Sequence, residues 1–343
     1  MTFTIGFKSI DGTMLAEVGG KAANLGELAR AGLPVPRGFC VTTDAYRAVA
    51  RADELAATTA ENARRTLLET AVPQEIRDAI VAEYHELGDG GGPGFPVAVR
   101  SSATAEDLPF ASFAGQQDTF LNVVGEDEVV DAVRRCWASL WTDRAVSYRN
   151  ANGIDHTTTY LAVVVQRMVQ SAVSGVMFTA NPVTGTRDQI VIDASPGLGE
   201  AVVSGAVNPD HFVVNGNEIV EKRLGDKRIV IRSLPGGGTE HVEVGESADQ
   251  CLTDGQIHGL AVLGRKVQRH YGSPQDIEWG STTTANRTSP RRGRSRRCFR
   301  CRTTRTATRT STSASASRRD SNDRSRRWGA RRSGRSPSPP SRS

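Results

Sequence analysis

Cysteine and aromatic residues are scarce in this 343-residue chain, which has five cysteines and only 6% aromatic side chains. Cys40, Cys136 and Cys251 are too scattered to suggest a disulfide framework, which favours a reducing compartment. The other two cysteines form a Cys-Phe-Arg-Cys motif at 298–301, with no second pair and no histidine close to it. We therefore predict neither a disulfide scaffold nor a zinc site.

Long hydrophobic runs are also missing from the sequence. No stretch approaches the roughly 18 apolar residues that a membrane-spanning helix needs. Residues 1–12 lack the charged start and the apolar core of a secretory signal. We therefore expect a soluble, cytoplasmic protein with no membrane partner.

The C-terminal residues 281–343 lack almost everything that builds a hydrophobic core. They contain no Leu, Ile, Val, Met, Tyr or Lys, but they contain 19 arginines and two aspartates, a net charge of +17. Because the whole chain is +5, residues 1–280 carry a net charge of −12. A segment with so little to bury cannot offset the entropy lost on ordering. The composition thus predicts an acidic folded body followed by a disordered basic tail.

Two interpretations of this tail are open. Nearly all of its residues belong to codons with G or C in the second position, and hydrophobic patterning stops just after 276–280. Both features are typical of GC-rich DNA translated out of frame, which indicates a shift of reading frame near Gly280. The alternative is a genuine arginine- and serine-rich segment that binds nucleic acid through phosphate contacts.

The body mixes helical and strand patterns. Apolar residues recur at helical spacing over 21–31, 127–148 and 254–271, and residues 44–88 also indicate helices. Segments with strand character lie at 33–43, 97–103, 160–169, 174–181, 188–195, 210–215 and 228–234. Because these strands cluster instead of alternating with helices, we predict an α+β architecture. A Gly/Pro-rich stretch at 88–96 predicts a boundary between an N-terminal lobe, 1–90, and the remainder, 91–280.

Two cationic residues occur in settings that suit a phosphate. The segment Gly-Gly-Lys-Ala-Ala-Asn-Leu-Gly-Glu-Leu at 19–28 places Lys21 at the start of a predicted helix. Glycine there permits close backbone approach, and free N–H groups at a helix start attract anions. Arg100 ends a buried strand and precedes small residues, which leaves its fork of donors available to phosphate oxygens.

Two further segments add to this picture. At 111–119, small residues around Gly115 allow a loop to lie along a polyphosphate, and polar side chains there can add contacts. In Asp-Ile-Glu-Trp at 276–279, an acid on a strand could hold a Mg²⁺ ion that bridges phosphate oxygens.

Each feature also has an ordinary structural alternative. Lys21 could be a surface lysine after a flexible turn, and the loop at 111–119 could be a plain hairpin. Arg100 could pair with Glu106 or Asp107 in the loop that follows it. The acid at 278 could be a surface residue of its strand.

Taken together, the motifs resemble the N-terminal ATP-grasp region of the phosphoenolpyruvate synthase, pyruvate phosphate dikinase and rifampicin phosphotransferase family. The resemblance covers about residues 5–280, with segments at 19–28, 174–185, 197–212 and 276–279 in the order and approximate spacing of that region. Its most specific block is Arg-Ser-Ser-Ala-Thr-Ala-Glu-Asp-Leu-Pro-Phe-Ala-Ser-Phe-Ala-Gly-Gln at 100–116. The resemblance implies a two-lobed ATP-grasp fold that binds ATP and Mg²⁺.

The resemblance also implies roles for individual residues. Lys21 and Arg100 would be catalytic residues that contact the ATP phosphates, and Glu278 would bind the metal. The remaining nucleotide contacts would come from a phosphate-covering loop and from a strand that lines adenine: Ser112, Gly115, Gln116 and Thr119 in the loop, and Gln166, Met168 and Val169 in the strand. Glu200 and Asp210 resemble pocket or structural acids without an assigned role.

The sequence departs from the family pattern in two places. In the family, the strand after the metal-binding glutamate leads to a Gln-x-Arg-Pro segment, which supplies a second metal ligand and another phosphate arginine. Here Ser-Thr-Thr-Thr follows Gly280 instead. The family also uses a phosphocarrier histidine on a separate domain. Gly-Gly-Gly-Thr-Glu-His at 236–241 only superficially resembles that motif, so we do not assign this role to His241.

We therefore expect an ATP-binding phosphotransferase module. An intact relative would transfer a phosphoryl group from ATP to histidine and then to pyruvate, and would release AMP. Because the carrier, the acceptor domain and half of the metal site are missing, we expect this chain to be impaired and inactive alone. The alternatives are a rifampicin phosphotransferase-type module, whose acceptor is a rifamycin, and a nonenzymatic pseudo-module whose tail binds nucleic acid.

Overall fold

The computed structural model describes residues 1–88, 94–104, 118–247 and 249–282, together with the backbone of one further strand, Arg297–Arg302. Met1–Thr306 forms one compact unit. Ser112, Gly115 and Gln116 of the predicted phosphate-covering loop lie outside the described residues, as does nearly all of the basic tail. The roles predicted for them stay predictions.

The helices follow the apolar periodicity of the sequence. Their bounds are α1 (Leu15–Arg30), α2 (Thr43–Val49), α3 (Ala52–Ala56), α4 (Ala60–Glu69), α5 (Gln74–Leu87), α6 (Glu126–Ser139), α7 (Asp143–Ala151), α8 (Glu200–Val203) and α9 (Asp254–Tyr271). The single helix predicted at 127–148 is wrong, because the chain turns between α6 and α7. Thr142 caps the second helix by accepting a hydrogen bond from the Ala145 N–H at 3.3 Å.

The first sheet is antiparallel and has helices on both faces. Its strand order is β1 (Thr4–Gly6), β2 (Gly38–Val41), β5 (Leu161–Arg167), β3 (Val97–Ala103) and β4 (Thr119–Val123). Val163 and Val165 face the core formed with α2 and α4–α6, whereas Ala162 and Val164 face α1. Strands from both sides of residue 90 share this sheet, and the predicted lobe boundary there stays a prediction.

The second sheet is also antiparallel, in the order β13 (Arg297–Arg302), β12 (Asp276–Ser281), β6 (Val173–Phe178), β7 (Gln189–Pro196), β8 (Asp210–Asn215) and β9 (Glu218–Arg223). Helix α9 covers one face, where Ile192, Phe212 and Ile277 pack. A separate hairpin consists of β10 (Ile229–Ser233) and β11 (Thr239–Glu243). The sequence pattern does not predict β13, which lies in the segment predicted to be a basic tail. Its backbone pairs with β12.

Hydrogen bonds join elements that flank the two sheets. At the end of α9, the Tyr271 hydroxyl donates to the Asn24 carbonyl of α1 at 3.2 Å. On the other side, the Asn122 amide donates to the carbonyls of Leu234 and Gly238 at 2.8 and 2.6 Å, which fixes the β10–β11 hairpin against β4. The arrangement confirms the predicted α+β class. Within the described ranges, no helix has both the length and the apolar character that spanning a bilayer requires.

Candidate functional site

A cleft that is partly open to solvent lies where the two sheets meet. Its walls come from β3 and β5 of the first sheet, from β6 and β12 of the second, and from the start of α8. Predicted site residues from distant parts of the sequence line this cleft: Arg100, Gln166, Met168, Val169 and Glu278. The fold therefore brings five of the predicted residues together.

Arg100 is the buried cation of this cleft. Its Nη1 lies 3.5 Å from Glu278 Oε2, and its Nε has no hydrogen-bond partner among the described residues. Burial lowers the pKa of Arg100, and the negative charge of Glu278 opposes that shift. A buried guanidinium with so few hydrogen bonds does not recover the free energy lost on leaving water. Its geometry suits the anionic oxygens of a ligand.

Glu278 faces the cleft because of the alternation along β12. Its neighbours Ile277 and Trp279 pack into the core under α9, so the glutamate side chain lies on the opposite face. The side chain is 20% exposed. It therefore lies in the cleft opposite Arg100, not on an outer surface of the sheet.

Lys21 approaches the same region from α1, although it does not line the cleft. Its Nζ donates to the Ser101 carbonyl at 2.5 Å, one residue from Arg100. A lysine ammonium is a compact charge with three rotatable donors on a flexible stem, which suits a phosphate ligand.

A break in α1 places Lys21 in the first turn of the main helical segment. The break is at Gly19, which has φ 70° and ψ 169°. Ser102 of β3 bridges it, since its hydroxyl donates to the Val18 carbonyl at 2.8 Å and accepts from the Ala22 N–H at 3.1 Å. A Cβ at Gly19 would lie 2.1 Å from the Ser102 carbonyl oxygen. The close approach that requires glycine here is thus made by β3.

Hydrogen bonds fix the position of the wall predicted to hold adenine. Gln166 is buried, and its Nε2 donates to the Pro36 carbonyl at 3.2 Å. The Met168 N–H donates to the Pro96 carbonyl at 3.0 Å, so this backbone donor is already used. Val169 completes this side of the cleft.

Thr119 is the one predicted loop residue that the structure describes. It begins β4 directly opposite Arg100 in the antiparallel β3–β4 pair. It lines a neighbouring cleft, which shares Leu121 and Glu200 with the first one.

The two acids left unassigned by the sequence differ in their surroundings. Glu200 lines the cleft. Asp210 is fully buried and forms an ion pair with Lys227, with 2.5 Å between Oδ1 and Nζ. Asp210 is therefore a structural acid. His241 lies exposed on β11, opposite Ile231 of the hairpin.

The cleft contains carboxylate oxygens that suit a hard cation. Within the part of the chain that the structure describes, no group of three or more His, Cys, Asp or Glu residues could hold a metal ion. Mg²⁺, however, is commonly bound by one or two carboxylates together with waters and substrate phosphates. Glu278 lies opposite Arg100, the candidate for phosphate binding, and therefore fits that ligand set.

Comparison with known proteins gives consistent matches. Residues 15–289 match the family model of the pyruvate phosphate dikinase AMP/ATP-binding domain. A rifampicin phosphotransferase from Streptomyces sp is 46% identical over 296 residues, which cover 80% of this chain and 34% of the relative. A probable phosphoenolpyruvate synthase from Pyrococcus abyssi is 46% identical over 323 residues, covering 76% and 39%. The rifampicin phosphotransferase of Bacillus subtilis is 43% identical over 299 residues, covering 81% and 34%.

The chain spans only about a third to two fifths of the length of these relatives. The matched region contains the cleft and every strand of the two sheets except β1 and β13. The match and the mixed helices and antiparallel sheets confirm the predicted ATP-grasp architecture, and the chain belongs to the pyruvate phosphate dikinase AMP/ATP-binding domain family.

Proposed function

We propose that the chain binds ATP with Mg²⁺ in the cleft between the sheets and serves as the nucleotide-binding module of a phosphoenolpyruvate synthase-like phosphotransferase. The observation that supports this most directly is the buried Arg100, whose Nε has no partner among the described residues and whose Nη1 lies 3.5 Å from Glu278 Oε2. In a member of an AMP/ATP-binding domain family, this pair offers one group for phosphate and one for the metal.

The two charges exchange partners when the ligand binds. Without it, Arg100 and Glu278 partly neutralise each other across the cleft. With it, Arg100 would turn its donors to the phosphate oxygens, and Glu278 would hold Mg²⁺. A Mg²⁺ ion held there would supply positive charge that neutralises the phosphate oxygens. Lys21 adds a further cation from α1, next to the Arg100 strand.

The rest of the nucleotide lies along the wall formed by Gln166, Met168 and Val169. The apolar side chains of Met168 and Val169 in this wall suit the face of a planar base. Thr119 and the loop residues Ser112, Gly115 and Gln116 cover the phosphates in this proposal.

Transfer beyond ATP requires parts that the described residues do not supply. We propose that one terminal phosphoryl group of ATP passes to a carrier histidine on another domain and then to an acceptor, while the other is transferred to water and leaves as inorganic phosphate, so that AMP is released. The relatives of nearly equal identity are named for phosphoenolpyruvate synthesis and for rifampicin phosphorylation. Pyruvate and a rifamycin are therefore both retained as acceptors. The chain alone is expected to form neither product.

Calorimetric titration with ATP and Mg²⁺ tests the site. Each of Arg100→Ala and Lys21→Ala removes a charge-assisted phosphate contact, which should weaken binding about ten- to a hundredfold. Glu278→Gln should weaken binding when Mg²⁺ is present and have little effect when it is absent.

Lys222→Ala is the matched control, because Lys222 pairs with exposed Asp254 outside the cleft. It should bind ATP like the unaltered chain. Unchanged affinity in both Arg100→Ala and Lys21→Ala would show that the nucleotide binds elsewhere.

A further inference from the structure

A second cleft, which we call the arginine cleft, lies beside α9 on the second sheet. Arg187 lines it from the loop between β6 and β7, and Arg265 and Arg269 line it from α9. None of its described lining residues belongs to the cleft of Arg100. Helix α9 covers the face of the second sheet that is opposite to Glu278. The arginine cleft is therefore separate from the proposed ATP site.

The arginine cleft carries a net positive charge on an acidic body. Its charged lining residues are the three arginines and Asp188. Within the described residues, none of these three arginines forms an ion pair. By contrast, residues 1–280 as a whole carry a net charge of −12. A local concentration of positive charge attracts anions to this place on the molecule.

Hydrogen bonds fix both walls of the arginine cleft before any ligand binds. In the loop that leads to Arg187, Asn181 Oδ1 accepts from two backbone N–H groups, at 3.0 and 3.1 Å. On the other side, the Arg265 guanidinium donates to the Gly216 carbonyl in the turn between β8 and β9. The Arg269 Nε donates to the Arg265 carbonyl at 3.3 Å. The remaining donors of Arg269, and those of Arg187, have no partner in the described ranges and are available to a ligand.

The lining of the arginine cleft indicates the chemistry of its ligand. A guanidinium has donors but no acceptor, and its planar fork matches the oxygens of a phosphate. Three arginines against one acid give the cleft a charge of +2. That charge exceeds what one carboxylate can neutralise, whereas a phosphate group carries a charge of about −2.

The surroundings of the arginines favour a small organic anion. Val262 lines the cleft and is 55% exposed, and Ile190 adds a buried apolar residue to the lining. Both suit the nonpolar part of an organic phosphate. A nucleic acid would extend from the cleft across an acidic body, which repels a long polyanion more than a compact one.

We propose that the arginine cleft binds a small phosphate-bearing molecule, with Arg187, Arg265 and Arg269 donating to its phosphate oxygens. This site goes beyond the proposed function, because it does not depend on ATP binding between the two sheets. It gives the chain a second place at which a phosphorylated ligand binds.

Calorimetric titration with pyrophosphate, without Mg²⁺, tests the arginine cleft. The full chain carries Arg100→Ala, so that the ATP cleft contributes little. Arg187→Ala and Arg269→Ala each remove a charge-assisted phosphate contact from an exposed position, and each should weaken binding about tenfold. Arg64→Ala removes the same charge from exposed α4 and should leave the affinity unchanged. Every variant keeps the arginine-rich residues 281–343, so their contribution is the same in all titrations.

Chemical modification locates the bound anion on the chain. Phenylglyoxal reacts with accessible guanidinium groups, and mass spectrometry of peptides measures the reaction at each arginine. Pyrophosphate should slow the reaction of Arg187 and Arg269 and leave that of Arg64 unchanged. Citrate, which offers carboxylates and no phosphate, should protect the two cleft arginines less at the same concentration.

Four results would overturn the proposal. Both Arg187→Ala and Arg269→Ala could keep the full affinity for pyrophosphate, or Arg64 could be protected as strongly as they are. Equal protection by citrate would show that the cleft does not select phosphate. Stronger protection by a single-stranded oligonucleotide would make the cleft part of a nucleic-acid surface. None of these results bears on ATP binding, which the Arg100 and Lys21 variants test separately.

Discussion

Among the described residues, two ion pairs made by a lysine or an arginine are largely withdrawn from water, and they are built in different ways. Lys227 and Asp210 have side chains that are 1% and 0% exposed, with 2.5 Å between Nζ and Oδ1. Arg100 and Glu278 are 8% and 20% exposed, with 3.5 Å between Nη1 and Oε2. The first pair is sealed inside the second sheet's lobe, and the second pair opens onto the cleft.

The Asp210 pair is saturated with hydrogen bonds. Besides Lys227, Asp210 accepts from the Gly225 N–H at 3.0 Å and from the Cys251 N–H and Sγ at 2.9 and 2.8 Å. Lys227 also donates to the Gly225 carbonyl at 2.7 Å. Burial, aided by the neighbouring Asp210 charge, raises the pKa of the Cys251 thiol, so the thiol stays protonated and donates. Such bonds are what buried charges need to offset desolvation.

Arg100 has one long contact to Glu278 and a buried Nε without a partner in the described residues. A cation saturated with hydrogen bonds has no donor left for a ligand, whereas an underbonded guanidinium gains by binding one. The difference teaches that burial of charge alone does not identify a site. What distinguishes the two cations is how many hydrogen bonds remain to be made.

The largest expected effect is on the saturated pair. Asp210→Ala leaves the Lys227 ammonium buried without its counter-charge, so the free energy of unfolding should fall by about 3–5 kcal/mol. Denaturant titration measures this loss. Lys222→Ala, which breaks the exposed pair with Asp254, should cost less than about 1 kcal/mol. Equal losses in the two variants would contradict the structural role assigned to Asp210.

The second expected effect links stability to the cleft through the break in α1. Gly19→Ala places a Cβ against the Ser102 carbonyl at positive φ, and should cost roughly 2–4 kcal/mol through backbone strain and overpacking. ATP affinity should fall as well, because α1 carries Lys21. In this variant, one substitution therefore lowers both the free energy of unfolding and the affinity for ATP.

Gly153→Ala is the control for backbone strain alone. Gly153 has φ 65°, but nothing lies within 4 Å of the Cβ that alanine would add. This variant should lose only about 1–2 kcal/mol and keep its ATP affinity. If Gly19→Ala matched it in both measurements, the contact with Ser102 would have no special role.

Local patterns in the sequence predicted most of the elements. The apolar period at 254–271 gave the bounds of α9, and alternating or continuous apolar runs located β5, β6, β7 and β8. The single helix predicted at 127–148 was wrong, because Leu140 and Trp141 are buried in the turn and continue the apolar stripe. Periodicity reports which side of an element is buried, and it does not report where the element turns.

The sequence predicted which residues belong to the candidate site, but not how they lie relative to one another. Arg100 and Glu278 were selected separately, yet 178 positions separate them, and no local pattern shows that they meet. The same limit applies to Asp210, whose partners Lys227 and Cys251 come from two distant loops. The sequence left its role open. Glycine at position 19 signalled a close approach, but only the fold shows that β3 makes it.

The third expected effect is a small one on stability. Arg100→Met removes a cation that is buried with few bonds, and Glu278 remains partly exposed to water. The free energy of unfolding should therefore change by no more than about 1 kcal/mol in either direction. Denaturant midpoints compared with those of Asp210→Ala check this. A loss as large as that of Asp210→Ala would remove the distinction between the two pairs.

The smallest effect is expected at a third buried cation, Arg149, which has no acidic partner within the described ranges. The Arg149 Nη1 donates to the Leu140 carbonyl at 2.6 Å, and its Nε donates to His156 Nδ1 at 2.7 Å. His156 Nε2 lies 2.9 Å from Asn150 Oδ1. A ring that accepts at Nδ1 and donates at Nε2 is a neutral imidazole. Burial, together with the Arg149 charge, lowers the pKa of His156, while Asp155 opposes that shift.

The direction of the pH effect follows from this lowered pKa. In the unfolded chain the imidazole has its ordinary pKa of about 6.5, so below that pH the unfolded state takes up the proton first. Stability from this contact is complete above about pH 6.5 and declines as the pH falls toward the folded-state pKa. His156→Asn should show a shallower decline in the free energy of unfolding than the unaltered chain, with the other histidines contributing equally to both. Parallel profiles would mean that the contact between Arg149 and His156 survives protonation of the imidazole. The neutral form of His156 would then not be what stabilises the buried Arg149.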